Sequence, residues 1–266
     1  NFEIFFIDNN SVKDETKKYL SNLLDDSFYG EKRKIISIPT EFNYSFLNNE
    51  CSKFTNGDVL LLLNNDIEFL SAKWGYFLTS NALRPGIGCV GAKLLYKDNS
   101  VQHGGIILGI GKVAGHAHRF YKSEEKGYQG RLNTSQEFSA LTGACLAISK
   151  KNWLSLKGLN EKDLKINYND VDLGLRCRSI GLRNLYIPHV VAYHLESKTR
   201  GAPIGPQLKQ WISEKNYMVR NWPNYLKSDP SYSPHLSLNN ENFDISINQL
   251  AKVELRNGNL IKQVDK

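Results

Sequence analysis

Five consecutive aliphatic residues, Val59–Leu63, break off in Asn64, Asn65 and Asp66, with Glu68 just beyond. A short apolar run without polar alternation reads as a strand buried on both faces, and such a strand demands helices above and below its sheet. The preceding sequence supplies the alternation. Strand-like segments at 2–7 and 34–38 alternate with helical stretches at 14–24 and up to Phe54. Strand, helix, strand, helix, strand at this spacing predicts a parallel sheet covered by helices, in which ligands bind beyond the carboxyl ends of the strands. Asp8 and Asp66 both stand at such ends.

Downstream, the pattern predicts a helix over 74–81 and a strand over 88–96. A glycine-rich stretch, "GGIILGIGKVAGHAHRFY" (104–121), leads into a polar loop to about Glu137. Strand-like residues 138–149, a surface turn at 157–162, a helix over 170–180, the strand "NLYIPHVVAYH" and a helix over 207–219 follow. Beyond Trp222 the chain is rich in Pro, Asn and Ser and reads as an arm laid over the domain. These features divide the chain into a main domain, 1–205, and a helix with its arm, 206–266.

Five aliphatics fall far short of the roughly 18 residues of a bilayer span. No charged-then-apolar leader opens the sequence, so a cytoplasmic chain is expected. The cysteines, Cys51, Cys89, Cys145 and Cys177, lie far apart in mostly apolar surroundings and read as buried thiols. A net charge of +7 points to a polyanionic partner such as a nucleotide diphosphate, a lipid pyrophosphate or an anionic membrane face. Nucleic acid is disfavoured, because no basic and aromatic recognition motif accompanies the charge.

Three constellations can carry chemistry. Asp66, at the end of a buried strand, suits a divalent cation that bridges phosphates, although Asn-Asn-Asp is also ordinary turn chemistry. In "NYNDVDLGLRCRSIG" (167–181), Asn169 suits an N-cap and Asp170 and Asp172 complement the helix dipole. A carboxylate there can equally act as a general base on a hydroxyl. In "YHLESKTRG" (193–201), His194 can ligate a metal, while Lys198 and Arg200 can neutralise phosphate oxygens. Two other patterns are weak. "GIGKVAG" has the wrong glycine spacing for a dinucleotide loop, and His103, His116 and His118 lack a Cys or acid at zinc-ligand spacing. The helix "PQLKQWISEKNYMVRNW" places Leu208, Trp211, Ile212, Val219 and Trp222 on one side. This stripe is expected to pack on the main domain, with docking at a membrane face as a second use.

In order, "FIDNNS", "EFNYSFLNN", "GDVLLLLNNDIEF", "GAKLLYKDNSVQHGG", "ALTGACLAIS", "YNDVDLGLRCRSIGLRNLYIPHVVAYHLESKTRG" and "DPSYSPHLSL" resemble the inverting glycosyltransferases of family 2. The likeness runs from Asp8 to about Leu238 and is nearest to the bacterial enzymes of cell-surface polysaccharide and glycan synthesis. It implies a GT-A fold, α/β with a mixed, mainly parallel central sheet flanked by helices. It further implies a nucleotide-sugar donor, UDP-linked first and dTDP-linked second, a lipid- or protein-linked glycan acceptor, and Mn²⁺ or Mg²⁺.

On this resemblance Asp8 bonds the nucleobase, with Asn10 and Ser11 nearby, and Asn43 lines the nucleotide pocket. Asn64-Asn65-Asp66 occupies the place of the family's Asp-x-Asp motif, which makes Asp66 a metal ligand and Asn64 a contact to ribose or metal-bound water. His194 completes the metal site. Thr142 and Gly143 lie beneath donor sugar and acceptor, Asp170 is the catalytic base, and Asp172 orients the acceptor or the helix start. Lys198 or Arg200 aids the departing diphosphate. Family members begin with one further strand, so the chain is expected to be part of a longer protein, with peripheral membrane association another expectation. The competing expectation is a non-catalytic nucleotide-sugar or carbohydrate-binding module.

Overall fold

The computed structural model describes residues 2–25, 32–196, 204–246, 253–256 and 259–262. Its elements run β1 (Glu3–Asp8), α1 (Asp14–Asp25), β2 (Lys32–Ser37), α2 (Tyr44–Ser52), β3 (Val59–Leu63), β4 (Ile67–Phe69) and α3 (Trp74–Ala82). Next come β5 (Ile87–Leu95), β6 (Val101–His103), β7 (Ile106–Leu108), β8 (Ala114–His116), β9 (Gln136–Phe138), β10 (Cys145–Ser149) and α4 (Lys150–Ser155). The chain continues through α5 (Asn169–Ser179), β11 (Arg183–His194), α6 (Gly205–Asn221) and α7 (Pro223–Lys227) to the paired strands β12 (Val253–Arg256) and β13 (Asn259–Lys262).

The central sheet has the order β3-β10-β5-β11-β4, with β6 on β5 and β9 on β11. It is mixed, and its pairing is less parallel than the repeat of strands and helices predicts. Only β5 and β11 pair in parallel within it; β10 runs antiparallel to both β3 and β5. β3, β5 and β11 therefore share a direction, and β10, inserted between β3 and β5, replaces one parallel contact with two antiparallel ones. β1 and β2 form a separate parallel pair. Among the described residues β3 pairs only with β10 and β1 only with β2, and both strands line one large cleft.

β5 is buried along its whole length, as its position between β10 and β11 requires. α3 covers one face, with Leu78 and Ala82 packed against Val90, Ala92, Leu94, Ala147 and Val190. Full burial of a leucine such as Leu78 contributes about 1.5–3 kcal/mol. α5 covers the other face through Leu173 and Cys177. Its approach is so close that a Cβ on Gly174 would lie 2.8 Å from the Cα of Ala140 and 2.9 Å from the Ser139 carbonyl. Asn184 ties the layers, donating to the carbonyls of Ser139 and Gly174 and accepting from the Cys89 amide. α5 is thereby pressed onto the loop 139–144.

Three expectations change. The strand-like stretch 138–149 divides into β9 and β10 around that loop, because Gly143 and its neighbours turn toward α5. Asn169 is the first residue of α5 and not its cap. Tyr168 takes the cap position in the left-handed region (φ 61°), and the Asn169 amide donates back to the Ile166 carbonyl. α6 packs through only part of the apolar stripe: Trp222 joins the buried cluster of Leu164, Val171, Leu175 and Met218. Leu208, Ile212 and Val219 are 38%, 44% and 42% exposed, whereas Glu214 and Met218 are buried. The Glu214 carboxylate accepts from the amides of Ile166 and Asn167, a polar clamp beside the apolar contacts of Met218 and Trp222. All four cysteines are buried free thiols. Among the described residues no helix is long and apolar enough to cross a membrane.

Candidate active site

The cleft measures about 2620 Å³ and opens where β1, β3 and β11 end, beside the start of α5. At one side the chain leaves β3 through Asn64, whose amide donates to the Ala144 carbonyl at 2.9 Å. A turn at Asn65 and Asp66 returns it as β4, which pairs with the end of β11 so that Ile67 lies opposite His194. The Leu195 amide donates to the Asp66 carbonyl at 2.9 Å. This pairing seats the His194 Nε2 3.2 Å from Asp66 Oδ1 and 3.3 Å from the Asn64 Nδ2. Asp66 Oδ1 is buried and has no hydrogen-bond partner. An orphaned carboxylate oxygen beside an imidazole nitrogen fits a hard divalent cation, and the donor set of one oxygen and one nitrogen suits Mn²⁺ or Mg²⁺ with further oxygens from a ligand.

Asp170 lies across the loop 139–144 from this pair. Its Oδ2 accepts from the Gly143 amide at 2.8 Å and its Oδ1 from the Val171 amide at 2.8 Å. Tyr44 of α2 donates to the Gly143 carbonyl at 2.9 Å and holds the loop from beneath. Burial raises the Asp170 carboxyl above its ordinary range, against the lowering effect of bonds from Gly143, Val171 and the Thr142 hydroxyl. A carboxylate whose pKa is raised is, once ionised, a stronger base. Two hydrogen bonds, Asn64 to Ala144 and Gly143 to Asp170, connect the two acidic ends. A Cβ on Gly143 would sit 3.4 Å from both the Asp170 Cβ and the Tyr44 hydroxyl, so a longer side chain would intrude between base and cleft.

A third wall comes from the end of β1. The Ser11 amide donates to Asp8 Oδ1 at 3.0 Å, and bonding to Ser11 holds the Asp8 carboxyl below its ordinary range. Asn9 fixes this turn by donating to the carbonyls of Ile38 and Thr40 at 2.7 and 2.9 Å.

Asp8, Ser11, Asn64, Asp66, Thr142, Gly143, Asp170 and His194 therefore line one cleft. Three other candidates do not. Asn43 caps α2, accepting from the Phe46 amide and donating to the Glu161 carbonyl, so its polar atoms are consumed locally. Asn10 is exposed with φ 62°, and that left-handed turn leaves its neighbours Asn9 and Ser11 to line the cleft. Asp172 is buried away from the cleft, its Oδ2 taken by Arg176 at 2.7 Å and its Oδ1 by the Trp222 indole at 2.9 Å. It holds the helix start to α6, which is one of the two uses expected of it. Lys198 and Arg200 lie outside the described residues.

The histidines once weighed for zinc separate. His103 Nδ1 and His116 Nδ1 lie 2.9 Å apart, while His118 accepts from the Tyr128 amide at 3.1 Å. The cleft lining also includes Asn9 and Tyr44, which the pattern did not single out, and His116 and Trp211, which it noted for a histidine cluster and a helix stripe and not for this site. Tyr44 carried a signal, its place two residues after Phe42 in the segment "EFNYS" that approaches a helix start.

Residues 1–148 match the model of a family described as glycosyl transferase family 2. Among curated relatives, the chain is 37% identical to the uncharacterised protein y4gI of Sinorhizobium fredii over 92% of its own length. It is 33% identical to the O-antigen biosynthesis protein RfbC of Myxococcus xanthus over 89%. It spans only 27% and 18% of these two relatives. Among solved structures, GalNAc-T7 with UDP, GalNAc and Mn²⁺ superposes with a TM-score of 0.63 at 16% identity, over 90% of this chain and 46% of that one. The mannosyltransferase PcManGT of Pyrobaculum calidifontis, in complex with GDP-Man and Mn²⁺, superposes with a TM-score of 0.52 at 11% identity, over 84% of this chain and 62% of that one. At such identities these likenesses speak to the fold.

Proposed function

From the premise that the chain belongs to glycosyl transferase family 2 and carries the GT-A fold, we propose that it transfers a sugar from a nucleotide-diphosphate donor to a hydroxyl of a growing glycan, with inversion at the anomeric carbon. The observation that carries this reading is the meeting of Asp170 with the pair Asp66 and His194 in one cleft, two hydrogen bonds apart. Asp170 takes the proton of the acceptor hydroxyl as that oxygen bonds to the anomeric carbon, and the carbon's bond to the diphosphate oxygen breaks on the opposite face. Asp66 and His194 would hold Mn²⁺ or Mg²⁺, which when bound neutralises charge on the diphosphate. Asn64 contacts ribose or water near the metal, Asp8 and Ser11 hold the base, and Thr142 and Gly143 form the floor under donor sugar and acceptor. Lys198 and Arg200 are the proposed cationic aids to departure. UDP is the first choice of carrier and dTDP the second.

Residues 1–205 are proposed as the catalytic domain and 206–266 as a helix and arm packed on it. The O-antigen relative supports a polysaccharide acceptor and, with it, a bacterial cytoplasmic site at the inner membrane face. The test is turnover of a panel of UDP- and dTDP-sugars with and without Mn²⁺, using both the parent and Asp170→Asn. Metal-dependent turnover that falls about 10²–10⁴-fold in Asp170→Asn, with nucleotide binding retained, is expected. Nucleotide binding without turnover in either protein would instead identify a non-catalytic binding module.

A further inference from the structure

Gln102 occupies an irregular position in β6. Leu94 pairs with His103, but Leu95 pairs with Val101, so Gln102 is an extra residue opposite no partner. A bulge of this kind frees a side chain from the alternation of the strand and redirects it, and bulges recur beside active sites. Here the redirected amide is buried, and its Oε1 meets the His194 Nδ1 at 2.6 Å.

We propose that Gln102 is a positioning residue that fixes the tautomer of His194, placing the proton on Nδ1 and presenting the Nε2 lone pair to the cation held with Asp66. A carbonyl oxygen can only accept, so the contact with Nδ1 requires a proton there. The opposite nitrogen then bears a lone pair, and the amide nitrogen of Asn64, a donor, faces it at 3.3 Å. Both amides thus select the same tautomer from opposite sides of the ring. The consequence is an unfavourable arrangement in the absence of a cation: the Nε2 lone pair faces Asp66 Oδ1 at 3.2 Å, and that oxygen has no other partner. A cation between them converts two facing acceptors into two ligands. A histidine ligand whose second nitrogen donates to a fixed acceptor is the usual arrangement in metal sites, and removal of that acceptor costs about 10–100-fold in metal affinity. The opposite tautomer would close the pair as an imidazole-to-carboxylate hydrogen bond and leave no ligand on Nε2.

This inference rests on the metal-binding reading above, and two measurements separate their failures. The first needs no variant: ¹⁵N NMR of the metal-free protein reads which ring nitrogen of His194 is protonated, with Nδ1 expected. A proton on Nε2 overturns the role of Gln102. The second titrates Mn²⁺, alone and with UDP, into the parent protein, Gln102→Leu and Gln102→Glu. Gln102→Leu is expected to bind Mn²⁺ about 10–100-fold more weakly, with the His194 proton moved to Nε2. Gln102→Glu, which keeps an acceptor, restores both readouts. Equal Mn²⁺ affinity in the parent and a folded Gln102→Leu would refute the proposal. A parent protein that takes up no Mn²⁺ under either condition defeats the metal reading itself, and the tautomer of the metal-free protein then still judges Gln102.

Discussion

At the scale of single residues, Asp170 carries a sign that kinetics can read. Its carboxyl is raised by burial, so its ionised form costs folding free energy: the benefit of the neutral form is complete below the ordinary carboxylate range and is lost as pH rises through the raised value. Activity runs the other way, because a base must be ionised. The acid limb of kcat/KM should therefore lie above the ordinary aspartate range. Thr142→Val removes a bond that lowers the Asp170 carboxyl, and should shift that limb to higher pH with the alkaline plateau retained. A limb that stays in place would separate Thr142 from the base. Asp8, Asp66, His194 and Asp170 stand out in the sequence because each lies at an element end, and the structure brings them to one cleft. Asn43 and Asp172 lie outside that lining: Asn43 bonds Phe46 and the remote Glu161, and Asp172 serves the helix start through Arg176 and the remote Trp222.

At the scale of elements, α6 governs the approach to α5. Glu214 accepts from the amides of Ile166 and Asn167 at 3.0 Å each, just before the left-handed Tyr168 that starts the helix bearing Asp170. Glu214→Ala strands both half-buried donors. It is expected to cost about 2–4 kcal/mol in denaturant-induced unfolding. Turnover should fall beyond what the loss of folded protein explains, since the turn that aims Asp170 is released. Full activity per folded molecule would show that α6 only stabilises. The helix itself was readable from its periodicity, but only Trp211 and Trp222 of its expected inward stripe face the domain. Trp211 lines the cleft and Met218 is fully buried, on a face that also carries Glu214, while the more apolar stripe through Leu208 and Ile212 faces outward. A charged residue enters the buried face because backbone donors await it there, and no local pattern announces those donors.

At the scale of the whole molecule, buried histidines are expected to weaken the fold in acid. Burial pushes the His118 imidazole down to about 3 and His116 to about 4. The unfolded chain takes up protons from about pH 6.5 downward, while the folded protein does not, so stability falls from there toward pH 3–4. Denaturant midpoints measured from pH 7 to 4 should decline. His118→Gln should flatten the decline by roughly one protonation's share, and an unchanged slope would assign acid sensitivity to carboxylates elsewhere. The mixed sheet shows the same division between what is local and what is not. The run Val59–Leu63 determined a strand with an acid just beyond its end, because hydrophobic continuity and an abrupt polar stop are properties of adjacent residues, but not the expected burial on both faces: β3 buries Leu60 and Leu62 and leaves Leu63 exposed at the cleft. The glycine stop of α5 and the order of the main segments were likewise written in the chain, whereas the left-handed start of α5 was not. The antiparallel insertion of β10, the bulge that turns Gln102 toward His194, and the meeting of Asp170 with Asp66 through Gly143 and Ala144 depend on contacts between residues distant in sequence. Such contacts are decided by how whole layers pack against one another, and the tertiary structure alone records that outcome.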